Sequence, residues 1–338
     1  MREAMLYSQI DGSRVACRTC QWHCRINPGH TGVCGMYRNE GGKLYNLNYG
    51  KVSSLAVDPI EKKPLFHFHP ASPCFSLGTL GCNFHCLHCQ NWEISTAEND
   101  KLTTYCRDVS PDKAVELALN SGCEGIAWTY NEPTIWFEYT YDSARLAKEK
   151  GLYTVYVTNG YATKEALDTI GPYLDAWRVD IKGFTDKFYK EISGVPRWRE
   201  ILENTSRARH KWNMHVEVVT NIIPTMNDDD DQIKAIAEWI VAELGTLTPW
   251  HITRFQPHHK LRHLPSTPVA TIDKAIEIGH TAGLKFVYAG NVPGHRNEST
   301  YCYQCGSVAI RRYGYNTDTS GLNGSLCRTC GADLNIRI

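Results

Sequence analysis

Between about residue 73 and residue 290 the chain alternates short β-rich runs with longer amphipathic ones, an order that few architectures can use. CFSLGT (74–79) reads as a strand. SPDKAVELALNSG then opens with Ser110 as N-cap and Pro111 at the first helical position, keeps Ala114, Leu117 and Ala118 on one face, and stops near Gly122. The pattern continues with GIAWTY (125–130), a helix over 135–151, YTVYVT (153–158), a helix over 163–170, AWRVDIK (176–182), a helical region within 185–211, HVEVVTNII (215–223), a helix over 230–244, HITRFQ (251–256), a helix over 271–283 and LKFVYAG (284–290). Such alternation predicts an α/β fold of parallel strands joined by crossover helices, either a full or partial barrel or an open doubly wound sheet. In both, the carboxyl ends of the strands face the active site. Unusual polar residues gather there: a cysteine loop after 74–79, Asn131-Glu132-Pro133-Thr134, Asn159-Gly160, Asp180 with Lys182, and Pro257-His258-His259.

A chain of 338 residues with 42% hydrophobic content can bury a substantial core, and it has no run of about 18 apolar residues. The start, MREAMLYSQIDGSRVAC, has neither the basic nor the apolar part of a secretory signal, so the expectation is a soluble, cytoplasmic protein without a membrane partner. Thirty-six basic residues balance 36 acidic ones, which gives no overall electrostatic footprint for nucleic acid. Fourteen cysteines are many for a reducing compartment, where disulfides seldom persist, and metal becomes the better reading. Eleven fall into three sets: Cys17, Cys20, Cys24 and Cys34; Cys82, Cys86 and Cys89; Cys302, Cys305, Cys327 and Cys330. Cys74, Cys106 and Cys123 read as small buried hydrophobes.

The central set, in GCNFHCLHCQN, has only three cysteines. A zinc site could borrow His85 or His88 as a fourth ligand. The competing reading is a [4Fe–4S] cluster with three thiolates and one iron left open. That motif resembles radical S-adenosylmethionine (SAM) enzymes, in which SAM's amino and carboxylate groups chelate the open iron. The aromatic that commonly precedes the last cysteine there is replaced by His88.

The likeness extends through Tyr49-Gly50-Lys51, Asp58-Pro59-Ile60-Glu61-Lys62-Lys63-Pro64-Leu65-Phe66-His67-Phe68, Gly78-Thr79-Leu80-Gly81 and Cys89-Gln90-Asn91-Trp92. These runs are similar to the radical SAM component of the AmmeMemoRadiSam system, a relative of pyruvate formate-lyase activating enzyme. The resemblance implies a partial barrel of six βα units and reductive cleavage of SAM to a 5′-deoxyadenosyl radical. That radical would abstract hydrogen from, or add to, a substrate that the sequence does not name. It also implies an electron donor such as a flavodoxin or ferredoxin, and Memo-like and AMMECR-like partner proteins. By the same resemblance Asn131 and Glu132 would receive SAM's amino group, Asn159 would lie near the backbone or ribose, and Asp180 and Lys182 near ribose and carboxylate. His258 would lie on the adenosine side, with His259 an equal candidate.

The outer sets are complete. Cys302-x2-Cys305 and Cys327-x2-Cys330, each pair followed by glycine, have zinc-ribbon spacing and predict structural zinc in a small C-terminal module, with rubredoxin-type iron as the other metal that fits. Cys17-x2-Cys20-x3-Cys24-x9-Cys34, beside Gly29, Gly32 and Gly35, predicts zinc or an auxiliary iron–sulfur cluster. The expected organisation is an N-terminal metal module and linker over 1–60, a barrel over 61–295 and the zinc-ribbon-like module over 296–338. Glu61, Lys62 and Lys63 read as a solvated linker face, with a substrate or partner surface as the alternative. Two further functions fit the sequence: a glycyl-radical enzyme activase acting on a protein backbone, and a zinc-organised binding or scaffold protein with a vestigial central motif.

Overall fold

The computed structural model describes all 338 residues and divides into two compact units. The first comprises residues 1–58, 73–177 and 197–214; the second comprises 59–72, 178–196 and 215–338.

In the first unit the strand Gly125–Trp128 lies between two parallel neighbours, Pro73–Gly78 and Tyr153–Thr158. Its register sets Gly125 opposite Cys74 and Tyr153, and Trp128 opposite Leu77 and Tyr156. All four of its residues are buried, as expected for a parallel strand covered on both faces. The helices Pro111–Asn120 and Phe137–Glu149 pack against each other. Ser110 accepts the Lys113 amide at 3.3 Å and Pro111 opens the first of them, as the sequence requires. The helix expected from 135 begins earlier, as a 3-10 turn over Pro133–Trp136, because Glu132 caps the Thr134 amide at 3.0 Å and Pro133 pre-sets the first turn.

Residues 1–58 form two small antiparallel sheets within this unit. They are tied to the helix Phe137–Glu149 through Glu138, which is 1% exposed and accepts the Met5 amide at 2.9 Å and the Tyr37 hydroxyl at 2.7 Å. A module expected to stand before the barrel is therefore built into the same unit as its first strands.

In the second unit the parallel strands His215–Ile222, Trp250–Arg254 and Val287–Gly290 neighbour one another in chain order. Within each unit the parallel strands follow one another in chain order, as successive crossover connections running in one direction produce. The helices Asp230–Leu244 and Val269–Thr281 pack together, burying Ile236, Ile240, Ile272 and Ile276. The helical region expected within 185–211 is three pieces, Asp186–Phe188 and a π turn over Tyr189–Ser193 in this unit and Arg199–His210 in the first, because Gly194 at φ +73° and Pro196 interrupt it.

The C-terminal residues pack onto Phe66, Phe286 and Tyr288 through Ile310, Leu322, Leu334 and Ile336. Glu61 and Lys63 are not the solvated linker face expected of them: they are 3% and 4% exposed, and of the three charges only Lys62 faces solvent. Glu61 Oε1 accepts the Ala71 amide at 2.8 Å and lies 3.9 Å from Arg312 Nε, so the segment is folded into the second unit by its charges.

Candidate active site and metal centres

The cysteine loop begins where the strand Pro73–Gly78 ends, and its course is set by bonds to the next strand end. Asn131 donates from Nδ2 to the Gly81 carbonyl at 2.7 Å and accepts the Thr79 amide on Oδ1 at 3.2 Å. Beyond the last cysteine, Asn91 Nδ2 donates to the Tyr130 carbonyl at 2.7 Å. Tyr130 holds φ at +74°, a conformation that costs a non-glycine residue about 1–3 kcal/mol, and its hydroxyl donates to Asp58 Oδ2 at 2.8 Å. The strained turn is thus anchored at its side chain while its carbonyl serves the loop.

Within the loop, Phe84 N donates to Cys82 Sγ at 3.4 Å, and Cys89 Sγ lies 3.6 Å from Ser95 Oγ. Burial, and then the Glu132 carboxylate, push the Cys82 thiol well above its usual range, so in the bare chain it is a thiol and a metal must displace its proton. His88, in the place of the relatives' aromatic, is 7% exposed. The donor set fits a four-iron cluster with an open iron: three cysteines share a loop secured at both ends, with Cys86 and Cys89 near enough to raise the Cys82 thiol, and the Nδ2 of fully buried Asn83, next to Cys82, has no acceptor in the chain.

Glu132 is 1% exposed and joins this loop to a third strand end. Its Oε1 accepts Thr134 N at 3.0 Å and Thr158 Oγ1 at 2.8 Å, and its Oε2 accepts Asn159 N at 2.7 Å. Burial raises its pKa, against these hydrogen bonds. Asn159 in turn donates from Nδ2 to Asn83 Oδ1 at 2.8 Å. The structure therefore brings Asn131, Glu132 and Asn159 together with the cysteine loop, and gives Glu132 and Asn131 internal partners where the sequence led us to expect ligand contacts. Asp58, Trp22 and Asn83 were missed. Trp22 lies between two cysteines of the N-terminal set and donates Nε1 to the Asn83 carbonyl at 2.7 Å. Its position inside that motif was the available signal.

In the second unit Asp180 accepts Lys182 Nζ at 3.0 Å and is also paired with Arg178. Burial pushes the Asp180 carboxyl up, but the two cations together hold it below its ordinary value. Its side chain is 26% and that of Lys182 16% exposed, so the pair is largely buried. His258 leads into the short turn His259–Leu261 and is half-buried; His259 holds φ at +49°.

The two outer cysteine sets differ. Cys302, Cys305, Cys327 and Cys330 place their sulfurs within 4.8 Å of one another, with Cys302 to Cys330 at 3.5 Å and Cys305 to Cys327 at 3.8 Å. Four thiolates about 2.3 Å from one ion stand about 3.8 Å apart, so the set fits a single tetrahedral metal. Cys17, Cys20, Cys24 and Cys34 line one small cavity with Tyr37 and Ile135. Burial raises all four thiols, Cys17 to about 12 and Cys34 to about 11. Gly29 and Gly35 adopt the left-handed turns foreseen for wrapping a metal, at φ +77° and +74°, and a Cβ on Gly32 would lie 3.3 Å from Cys24 Sγ. Of the remaining cysteines, Cys74 and Cys123 are buried as expected, and Cys106 is half-buried. No helix is long and apolar enough to cross a membrane.

Comparison with known proteins agrees with this geometry. Residues 77–240, which contain the whole central loop, match the model of the radical SAM superfamily. The chain is 44% identical to an uncharacterized protein of Methanocaldococcus jannaschii over 99% of both chains. It is 30% identical to the isethionate sulfite-lyase activating enzyme of Nitratidesulfovibrio vulgaris over 56% of this chain, spanning 64% of that enzyme, just under two thirds of its length. Streptococcus suis SuiB, solved with the precursor peptide SuiA, shares the fold at a TM-score of 0.50 and 12% identity over 69% of this chain and 51% of SuiB. With a three-cysteine loop at the end of a parallel strand and the matching family model around it, residues 77–240 are a radical SAM domain and the protein is a radical SAM enzyme.

Proposed function

We propose that Cys82, Cys86 and Cys89 hold a [4Fe–4S] cluster and that the protein cleaves SAM reductively. When bound, the reduced cluster supplies the electron that opens SAM's sulfonium, giving a 5′-deoxyadenosyl radical that abstracts hydrogen from, or adds to, a substrate. The observation that carries this reading is the loop itself, three cysteines fastened at Gly81 and Asn91 to one strained turn. The chain's own part is positional. Asn131 fixes the loop entrance, Asn91 its exit, and Glu132 orients the Thr158–Asn159 turn beside it. The C-terminal cysteines hold structural zinc, and the N-terminal four hold zinc or an auxiliary cluster.

The Asp58–Phe68 and Gly78–Trp92 runs further place the protein, on our reading, with AmmeMemoRadiSam enzymes, which implies Memo-like and AMMECR-like partners and a flavodoxin or ferredoxin as electron donor. The identity to an isethionate sulfite-lyase activating enzyme favours a second reading, glycyl-radical activation of a partner's backbone.

The test is anaerobic incubation of iron-and-sulfide-reconstituted protein with SAM and dithionite. Release of 5′-deoxyadenosine or an adenosyl adduct is the expected result. A protein that binds zinc at all three cysteine sets and takes up no iron would instead be a scaffold.

A further inference from the structure

Asn83 is completely buried, and both of its oxygens are taken: the carbonyl accepts Trp22 Nε1 at 2.7 Å and Oδ1 accepts Asn159 Nδ2 at 2.8 Å. The orientation of its amide follows from the groups behind it. Asn159 Oδ1 accepts the Tyr161 amide at 3.0 Å, so Asn159 must present its nitrogen, and Asn83 must answer with oxygen. The Asn159 backbone is itself fixed by Glu132 at 2.7 Å. Asn83 Nδ2 is left as a buried donor with no acceptor in the chain. An unmet donor of this kind costs about 1–3 kcal/mol.

A network that enforces such a cost is accounted for when the acceptor comes from outside the polypeptide. The amide head lies beside the first cluster ligand, its Oδ1 4.0 Å from Cys82 Sγ. On the reading that Cys82, Cys86 and Cys89 hold a four-iron cluster, we propose that Asn83 Nδ2 donates a hydrogen bond to a sulfur of that cluster and thereby raises its reduction potential. Hydrogen bonds to cluster sulfurs favour the more negative, reduced state. Asn83 is then a direct contact of the cofactor, and Glu132 and Asn159 are the residues that aim it.

The experiment is an EPR-monitored redox titration of the reconstituted full chain without SAM, comparing wild type with Asn83→Leu, which removes the donor without adding charge, and Asn83→Asp, which keeps an acceptor for Asn159. Both variants should titrate at more negative potential than wild type with undiminished iron and sulfide. Because a variant can fail to load, ENDOR of the reduced wild-type cluster with side-chain 15N-labelled asparagine supplies a second readout, and a 15N coupling is expected. Unchanged potentials with weaker SAM binding would assign the amide to SAM's carboxylate and overturn the proposal, as would a fully loaded wild type with no 15N coupling. A wild-type protein without iron on the central cysteines would overturn the cluster reading itself, a result distinct from either.

Discussion

Asn131 is bonded to the residue that opens the cysteine loop, its Nδ2 donating to the Gly81 carbonyl at 2.7 Å. Gly81 is buried, so removing this partner leaves its carbonyl unmet. Asn131→Leu also releases the Thr79 amide, and the expected loss of stability is about 1–3 kcal/mol. Thermal melts should shift down, and reconstituted protein should lose iron to a chelator faster than wild type. Unchanged iron retention would mean that the turn does not hold the loop.

Gly81 cannot accept a side chain. It sits at φ +85°, and a Cβ there would lie 2.8 Å from Met36 Cγ and 2.9 Å from the Cys34 carbonyl oxygen. Gly122 is a control with a similar φ of +67° and open space around its Cα. Gly122→Ala should cost only the left-handed penalty of about 1–2 kcal/mol, while Gly81→Ala should add an overpacking cost of about 1–3 kcal/mol. Denaturant midpoints of the two variants would separate the terms, and equal losses would show that Met36 and Cys34 yield without cost.

The metal centres should empty independently. Cys86→Ala is expected to remove the iron of the central loop and leave zinc content nearly intact. Cys327→Ala should remove C-terminal zinc, leave the central iron, and destabilise the cluster built around Phe66, Phe286 and Leu334. Elemental analysis of both purified variants decides this, and joint loss of both metals from either one would argue against separate sites.

Much of this was legible in the chain because the signals are local. Ser110 and Pro111 mark a helix start by their own chemistry, and the strand at 153–158 needs only its β-rich run. The central cysteines were legible for the same reason, being within a few residues of one another. What the sequence concealed depends on distant partners. Glu61 and Lys63 look like solvent charges until residues far along the chain, Arg312 among them, enclose the segment. The bonds that Thr158 and Asn159, a strand away, make to the Glu132 carboxylate are equally invisible in the sequence. The strand read over 125–130 stops at Trp128, short of Tyr130, whose positive φ accompanies bonds to Asp58 and Asn91 that lie far from it along the chain.

The second unit should be sensitive to mild acid through His67. This side chain is completely buried, with Nδ1 at 2.8 Å from the Leu334 carbonyl and Nε2 at 2.5 Å from the Tyr288 hydroxyl. A carbonyl only accepts, so Nδ1 carries the proton, Nε2 accepts from Tyr288, and the ring is neutral. Burial pushes its pKa down to about 3, against the pull of Glu217, with Arg312 and His215 adding to the depression. The unfolded chain protonates this histidine near pH 6.5 and the folded chain does not, so stability is lost as pH falls from about 6.5 towards 3. Each pH unit in that window costs about 1.4 kcal/mol for one such group. His251, also buried and held below its ordinary value by burial, adds to the slope. Between pH 7 and 5, above the range in which carboxylates ordinarily titrate, unfolding free energies should fall with acid in wild type. In His67→Phe, although less stable throughout, the slope should be shallower by up to one proton. Equal slopes in the two proteins would show that His67 takes up its proton without unfolding the unit.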